Sequence, residues 1–186
     1  MLPEEMFSNK INKKQKKIII GIAIFLLLSR SKMVNAEKII KFFEAGDGVK
    51  KYLNAYQDLG GVWTIGYGST FNYAENRPVK KGDVITEQIA IDWLRKEMKD
   101  KIIQIKQLVK VPINQNQLDA LTSFSYNLGI GALKSSTLLK LLNSGADKYT
   151  VSNQFLRWNK ALIDGQYIEV LGLTRRREAE KVLFLK

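Results

Sequence analysis

The sequence contains neither cysteine nor histidine among its 186 residues, and these two absences exclude several kinds of chemistry. Without cysteine there can be no disulfide, no thiol nucleophile and no thiolate metal site. Without histidine there can be no Ser-His-Asp or Cys-His catalysis and no zinc site with imidazole ligands. Acid–base chemistry must therefore fall to Asp, Glu, Lys or Tyr, which favours mechanisms built on carboxylates. Nothing in the sequence implies a metal or an organic cofactor.

Acidic residues are also in short supply, at 18 against 30 basic residues, which gives a net charge of +12. Residues 1–36 carry +5 of this charge and residues 37–186 carry +7. A basic protein suits an acidic partner such as nucleic acid, anionic lipid or an anionic bacterial wall. No helix-turn-helix, RNA-recognition or zinc-finger pattern is present in the sequence, so we expect no nucleic-acid partner. The length and apolar content predict one globular domain after the N-terminal segment, and we expect it to be monomeric.

Residues 1–36 have the pattern of an export signal. The basic run KINKKQKK at 10–17 precedes the apolar run IIIGIAIFLLL at 18–28. This apolar run is shorter than the ~20 residues that a helix needs to cross a bilayer, and a secretory signal explains it better than a buried core helix. We predict export to the periplasm or inner membrane of a bacterial host, with residues 18–28 contacting the inner membrane. Cleavage before Glu37 and retention as an uncleaved signal-anchor both stay open, and both leave residues 37–186 as the functional domain.

The stretch 44–70, EAGDGVKKYLNAYQDLGGVWTIGYGST, holds the residues at which we expect chemistry. Glycoside hydrolysis needs two carboxyl groups in unlike surroundings, one protonated and one ionised. Glu44 follows two phenylalanines at a predicted helix C-terminus, where apolar neighbours and the helix dipole favour the protonated form. Asp58 lies in a glycine turn, where water and backbone donors favour the ionised form. A hairpin closing at 59–61 would bring the Thr64 hydroxyl beside Asp58, so that the two side chains hold one attacking water.

Each of these residues also has a plainer explanation. Taken alone, Glu44 is typical of a glutamate on a helix surface. Asp58 alone is typical of a turn, and Thr64 alone is typical of a strand. Asp47, between two glycines, is a rival carboxylate that we interpret as a turn residue. Only the order of Glu44, Asp58 and Thr64 within one short stretch favours a shared site.

Patterns of apolar residues predict an α+β body that is mostly helical. Thr86 is typical of a helix N-cap, and apolar residues at helical spacing after it predict a long helix to about residue 109. Three short alternating segments predict a small antiparallel sheet: 54–58, 62–66 and 71–73. Residues 114–143 predict three helical pieces broken by Gly129 and Gly131, and residues 147–158 predict one more helix.

Several blocks of the sequence resemble phage-type lysozymes, which form glycoside hydrolase family 24. The blocks are Glu44 with AYQD and GVWTIGYG, then NQNQLDALTSFSYNLG, RWN at 157–159 and GLTRRREAEKVLF. The resemblance implies a lysozyme-like fold, with a small antiparallel sheet lobe and a larger helical lobe joined by a long helix. It also implies an endolysin that cuts the β-1,4 bond between N-acetylmuramic acid and N-acetylglucosamine of peptidoglycan. In that enzyme Glu44 would be the general acid, and Asp58 and Thr64 would position the attacking water.

The chain departs from the family pattern at two points. Thirteen residues separate Glu44 from Asp58, which is five more than the family's usual gap, and this insertion bears on the geometry of the two carboxyls. The usual GYGHT reads GYGST here, so that Ser69 stands in place of a histidine. Carboxyl separations of roughly 6.5–9.5 Å predict inversion of the sugar configuration and roughly 5 Å predicts retention, and both outcomes stay open.

Further residues are predicted to contact the glycan. Trp63 and Tyr67 offer rings on which sugars could stack, and Arg176 could meet acidic groups of the wall polymer. Three polar residues near one helix face could donate or accept hydrogen bonds to sugars: Gln117, Ser123 and Asn127. Apolar residues on the same helix read as core packing. Arg176 or Arg177 could instead pair with Glu44 or Glu180, or lie on a solvated basic face.

Two other functions fit the same residues. A lytic transglycosylase would cut the same bond without hydrolytic water and leave an anhydro-muramic end, which the Asp58 and Thr64 pair disfavours. A non-catalytic cationic protein could bind the wall or membrane on a lysozyme scaffold whose site the insertion has spoiled.

Overall fold

Helices make up most of the structure, which is a computed structural model that describes residues 34–46, 48–58, 60–163 and 165–186. The helices are α1 Val34–Ala45, α2 Glu87–Leu108, α3 Gln115–Leu128, α4 Ile130–Ser135, α5 Thr137–Asn143, α6 Lys148–Ser152 and α7 Leu171–Leu185. Two turns of 3-10 helix span Val49–Tyr52 and Phe155–Trp158. The strands are β1 Tyr56–Gln57, β2 Trp63–Thr64, β3 Phe71–Asn72, β4 Arg77–Pro78, β5 Lys160–Ile163 and β6 Gln166–Glu169. The predicted α+β, mostly helical architecture is confirmed.

Residues 35–186 form one compact unit, and the predicted export segment before them lies outside the described residues. Among the helices that the structure describes, none is both long and apolar enough to cross a membrane. The predicted domain start at residue 37 stays a prediction.

The long helix α2 begins where the sequence predicts. The Thr86 side chain caps it by accepting a hydrogen bond from the Ile89 amide at 3.2 Å, and Glu87 places a negative charge in the first turn. One face of α2 is buried through Ala90, Trp93, Leu94, Met98 and Ile105. The helix therefore packs along its length and ends at Leu108, close to the predicted residue 109.

The helical lobe is built from α3 to α7 around an aromatic core. The Phe124 ring packs edge-on against Phe155 and Trp158, with ring centres 5.6 and 5.4 Å apart. Phe155 in turn contacts Phe184 of α7 at 5.7 Å. Burying a side chain of this size stabilises the fold by roughly 1.5–3 kcal/mol. The apolar residues of α3 are core residues, as predicted.

The helical pieces between residues 114 and 143 break at different places from those predicted. Gly129 does separate α3 from α4, and its φ of 83° is a conformation that favours glycine. Gly131 lies inside α4, so the predicted break there is wrong. The second break is at Ser136, whose hydroxyl accepts from the Leu139 amide at 3.0 Å and caps α5. The break therefore lies at Ser136 and not at Gly131. The Ser136 hydroxyl satisfies a free amide at the start of α5, which favours a new helix there.

The sheet lobe consists of short separate ladders and not one sheet. β1 pairs with β2, β3 pairs with β4, and all pairings are antiparallel. Isolated bridges join Asn54 to Val84 and Ile65 to Ser69. The antiparallel prediction is confirmed, but two-residue strands between glycine turns are too short to align into one continuous sheet.

The C-terminal region contains a hairpin that we did not predict. β5 and β6 pair over four residues each, between the second 3-10 turn and α7. The predicted helix over 147–158 is divided into α6 and that 3-10 turn. The Asp-Gly at 164–165, between two apolar alternating runs, is a hairpin signal that could have identified β5 and β6.

Candidate active site

Glu44 lies in the last turn of α1, as predicted, and its carboxyl contacts two distant parts of the chain. Its Oε1 is 2.6 Å from Nη1 of Arg176 on α7. Its Oε2 faces the backbone of Gly68, where a Cβ would lie 3.5 Å away. The expected apolar pocket is only partly present, because Phe42 is exposed and the Arg176 guanidinium lies against the Phe43 ring. The buried Arg176 guanidinium therefore lies beside the Glu44 carboxyl, which corrects the expectation of an apolar pocket.

A charge cluster fixes α1 against α2 and so holds Glu44 in place. The Glu37 carboxylate accepts from Nε and Nη2 of Arg95 at 3.0 and 3.1 Å, and Lys41 lies 2.8 Å away. Burial raises the pKa of Glu37, but the hydrogen bonds from Arg95 and Lys41 outweigh it and lower the pKa below its usual value. Glu37 therefore remains a carboxylate that anchors the start of α1.

The five-residue insertion folds beside the site. Val49 is buried at the start of a 3-10 turn, and the carbonyl of Tyr52 accepts from the Gly66 amide at 2.7 Å. The stretch between Glu44 and Asp58 thus contacts the turn at Gly66, and Glu44 faces Gly68. Asp47, the rival carboxylate, lies outside the described residues.

Asp58 closes the hairpin between β1 and β2. Its Oδ1 accepts from the Gly60 and Val62 amides at 2.9 and 2.8 Å, and its own amide donates to the Val62 carbonyl at 3.0 Å. The predicted hairpin and the backbone donors to Asp58 are confirmed. Its Oδ2 has no hydrogen-bond partner within the described part of the chain, so it is open to water.

Thr64 lies on the same face of this hairpin but not directly beside Asp58. It pairs with Tyr56, whereas Asp58 lies opposite Val62, so Thr64 and Asp58 are diagonal neighbours across the hairpin. The Thr64 hydroxyl donates its hydrogen to the Val62 carbonyl at 3.1 Å, so the lone pairs of the Thr64 oxygen point away from that carbonyl. Among the described residues no hydrogen bond joins Thr64 to Asp58, and Thr64 is buried whereas Asp58 is exposed.

The Gly66-Tyr67-Gly68 turn lies between Glu44 and α2. Gly66 and Gly68 have φ of 64° and 93°, and a Cβ on Gly66 would come 3.1 Å from that of Ala90. Ile65 and Ser69 close the turn with paired backbone hydrogen bonds of 2.9 and 3.0 Å. Glycine is required here both by the backbone conformation and by the close approach to the helix.

Tyr56 is a candidate functional residue that the sequence reasoning missed. It lies two residues before Asp58 on the same strand face and directly opposite Thr64. Burial, then the charges of Tyr52, Glu44 and Asp58, raise its pKa. The tyrosine is thus close enough to both carboxyls to feel their charge. The alternation of AYQD could have identified it, because residues two apart in a strand share a face.

We expect Tyr56→Phe to lower kcat/KM by about tenfold, because it removes a hydroxyl opposite Thr64 in the proposed site while keeping the ring. Assays of glycan release by the purified variant check this. Tyr167→Phe is the matched control, since that hydroxyl belongs to an exposed strand of the distant hairpin, and it should be unchanged. Equal activity of both variants would remove Tyr56 from the site.

Arg176, Arg177 and Glu180 form a buried charge cluster on α7. Glu180 Oε1 lies 3.4 Å from Arg176 Nε and 3.1 Å from Arg177 Nη2, and all three side chains are at most 3% exposed. Burial raises the pKa of Glu180 and lowers that of Arg177 to about 10, and their mutual attraction opposes both shifts. The predicted pairing of Arg176 with Glu44 and Glu180 is confirmed, and the solvated basic face is wrong for these two arginines.

Several predicted glycan contacts are corrected by these positions. Ser123 is fully buried and its hydroxyl donates to Glu180 at 2.7 Å, so it does not line an open cleft. Arg176 is held under Glu44 and not on the surface. The Tyr67 ring is 6% exposed, with the Lys41 ammonium 5.6 Å from its centre, which leaves little room for a stacked sugar.

The remaining predicted contacts have structural roles but keep some exposure. Gln117 completes a capping box with Asn114 at the start of α3. Asn127 accepts from Arg177 Nη2 at 3.0 Å and is partly buried. Trp63 is partly exposed on β2 next to the hairpin turn. Glycan contact by these three residues stays a prediction.

Comparison with known proteins shows which family the chain is similar to. Residues 47–180 match the family described as phage lysozyme. The chain is 40% identical over 149 residues to an endolysin of Acyrthosiphon pisum secondary endosymbiont phage 1, covering 80% of this chain and 96% of that protein. It is 37% identical over 127 residues to a SAR-endolysin of Pseudomonas phage phiKMV, covering 68% and 74%. The solved endolysin from Escherichia coli O157:H7 phage FAHEc1 superposes with a TM-score of 0.72 at 36% identity, covering 82% and 91%.

The family match begins after Glu44. Identification of Glu44 as the site glutamate therefore rests on its contacts with Arg176 and the Gly68 turn.

Proposed function

Since this chain belongs to the phage lysozyme family and is a peptidoglycan-hydrolysing muramidase of bacterial cell lysis, we propose that Glu44, Asp58 and Thr64 carry out its reaction. The observation that supports this most directly is the position of the Glu44 carboxyl, between buried Arg176 and the Gly68 turn. Tyr56, whose pKa burial raises first and the charges of Tyr52, Glu44 and Asp58 raise further, lies opposite Thr64 on the hairpin that carries Asp58.

Glu44 acts as the general acid on the glycosidic oxygen between N-acetylmuramic acid and N-acetylglucosamine. When the proton leaves, a carboxylate forms on Glu44, and the Arg176 guanidinium 2.6 Å away stabilises that charge. Arg176 is itself held by Glu180 and the Ser123 carbonyl, so it needs no rearrangement during the reaction. A donor fixed in advance at the developing charge lowers the barrier more than one that must reorient.

Asp58 and Thr64 direct the attacking water. Asp58 uses one oxygen to hold the hairpin turn, which leaves Oδ2 to accept a hydrogen from water. The Thr64 oxygen lies on the same hairpin face and offers a second contact to that water. The negative charge on Asp58 also stabilises the oxocarbenium-like transition state of the sugar.

The substrate is peptidoglycan of the cell wall, which the enzyme reaches as a monomer after export. Residues 18–28 contact the inner membrane before release or cleavage, which the basic and apolar N-terminal runs and the similarity to a SAR-endolysin support. Fractionation of bacteria that express the full chain tests this. Recovery of the protein only from the cytoplasm would contradict it.

Glu44→Gln tests the assignment of the general acid. We expect this variant to fold, because Arg176 keeps its contacts with Glu180, and to lose about a thousandfold of turnover. The full chain and the variant are incubated with purified peptidoglycan, and muropeptides are identified by mass spectrometry. Glu178→Gln is the matched control on the exposed side of α7 and should digest normally.

The products separate the proposed reaction from the other two functions. Reducing-end muropeptides from the wild type and the Glu178 control, but not from Glu44→Gln, support hydrolysis with Glu44 as acid. Anhydro-muramic ends would identify a lytic transglycosylase. Undiminished digestion by Glu44→Gln would show that Glu44 is not the general acid. An absence of products from all three proteins would favour a non-catalytic wall-binding protein.

A further inference from the structure

We propose that Tyr126 and Glu97 are positioning residues for this reaction, which hold the Gly66-Tyr67-Gly68 turn against Glu44 through a hydrogen-bond network. This inference rests on the proposed role of Glu44 and goes beyond it. Neither residue touches Glu44 directly. They act through the backbone of the turn.

The network joins the three parts of the fold that meet at this turn. Tyr126 belongs to α3 in the helical lobe, and its hydroxyl lies 2.8 Å from the Tyr67 carbonyl and 2.9 Å from Glu97 Oε2. Glu97 belongs to the long helix α2, and its Oε1 accepts from Ser69 at 2.7 Å and from Tyr73 at 3.2 Å. The middle of the turn, at Tyr67, and the residue that follows it, Ser69, are therefore both tied to helices.

Glu97 is held by hydroxyl groups and not by a cation. Within the described residues no lysine or arginine lies within salt-bridge distance of it, and Lys96 places its ammonium over the Tyr73 ring at 4.8 Å. Ser69, the residue that stands where the family pattern has histidine, supplies the shortest of these hydrogen bonds. The partly buried Glu97 carboxyl thus accepts hydrogen bonds from neutral hydroxyl donors, and this network includes the Gly66-Tyr67-Gly68 turn.

The Tyr126 hydroxyl has one hydrogen and two acceptors within reach. When Glu97 offers only lone pairs, that hydrogen is shared between the Tyr67 carbonyl and Glu97. Burial first, and then the charge of Glu97, raise the pKa of Tyr126 well above its usual value, so the hydroxyl stays a donor at neutral pH. An amide in place of Glu97 would donate to the tyrosine oxygen and free the hydrogen for Tyr67.

The turn matters because it forms one wall around the acid. The Gly68 backbone faces Glu44 Oε2, and the Tyr67 ring lies under Lys41 of the same helix that carries Glu44. A turn that shifts by a fraction of an ångström changes the distance from the carboxyl to the bond being cut. Misplacement of about 1 Å can cost about a hundredfold in rate. Loss of the network should therefore lower kcat more than it changes KM.

Four full-chain variants test the proposal, assayed for kcat and KM on soluble uncrosslinked glycan strands and for thermal unfolding. Tyr126→Phe keeps the ring and removes the hydroxyl, and we expect kcat to fall by about tenfold with KM within about twofold. Glu97→Leu removes both acceptors and should behave in the same way. Glu97→Gln should keep at least about half of the wild-type kcat, because the amide restores the chain of donors. Tyr149→Phe changes an exposed side chain of α6 and should match the wild type.

The outcomes distinguish this inference from the proposed function. Wild-type kcat in Tyr126→Phe, or equal damage from the Gln and Leu replacements at Glu97, would overturn the positioning role. A fall in activity that only follows a loss of folded protein would overturn it as well. Full turnover by Glu44→Gln in the same assay would instead show that the proposed function has failed.

Discussion

Replacing Glu180 with alanine is expected to lower the free energy of unfolding by about 3–5 kcal/mol, the largest stability change that we predict for a single residue. Glu180 is fully buried and is the acceptor that Arg176 and Arg177 share. Its removal leaves two guanidinium groups close together in the core with less negative charge to balance them. Arg176 keeps Glu44, but Arg177 keeps only the Asn127 side chain as a hydrogen-bond partner in the described part of the chain.

Urea titration followed by circular dichroism measures this change. Glu178→Ala provides the matched control, because Glu178 is exposed on the same helix, and its effect should stay within about 0.5 kcal/mol. A loss below about 1 kcal/mol for Glu180→Ala would mean that the two arginines find solvent or other partners. The cluster is not fully satisfied as it stands, since Arg177 Nε, Arg177 Nη1 and Glu180 Oε2 are buried without partners among the described residues. Such a cluster is a weak source of net stability, yet breaking it is costly.

Asp58→Asn should lower turnover by at least about a hundredfold while leaving the protein folded. The asparagine oxygen can still accept from the Gly60 and Val62 amides, so the hairpin turn is preserved. What is lost is the negative charge that, in the proposed mechanism, orients the attacking water and stabilises the developing positive charge on the sugar. Initial rates on purified peptidoglycan, at equal concentrations of folded protein, measure the effect.

The chain offers a close control for this experiment. Asp147 also accepts two backbone hydrogen bonds through one oxygen, from the Tyr149 and Thr150 amides at 3.0 Å each, but it caps α6 in the helical lobe. Asp147→Asn removes the same charge from the same kind of cap and should leave turnover unchanged. If both variants lose activity to the same degree, the loss reports a general effect of charge and not the role of Asp58.

Local patterns were sufficient for much of this protein. Thr86 identified the start of α2, because a hydroxyl at an N-cap satisfies free helix amides through contacts within one turn. The order of Glu44, Asp58 and Thr64 identified the candidate site and the family. The glycines after Asp58 indicated the hairpin, although the actual pairing sets Thr64 opposite Tyr56 and diagonal to Asp58. Thr64 and Asp58 therefore share a face of the hairpin without lying directly opposite each other.

What the sequence determined by itself was therefore the family, the long helix α2, the hairpin that carries Asp58, and which residues share a face within each of these elements. What only the tertiary structure decided was which residues meet across elements. Arg176 reaches Glu44 across 132 positions of the chain, Ser123 turns into the core to bind Glu180, and Tyr126 meets Glu97 beneath the Tyr67 carbonyl. Periodicity assigns a side chain to one face of its own helix or strand, but the packing of helices against each other sets what that face contacts. That is why candidate residues for the reaction could be proposed from the sequence, while the groups that surround them could not.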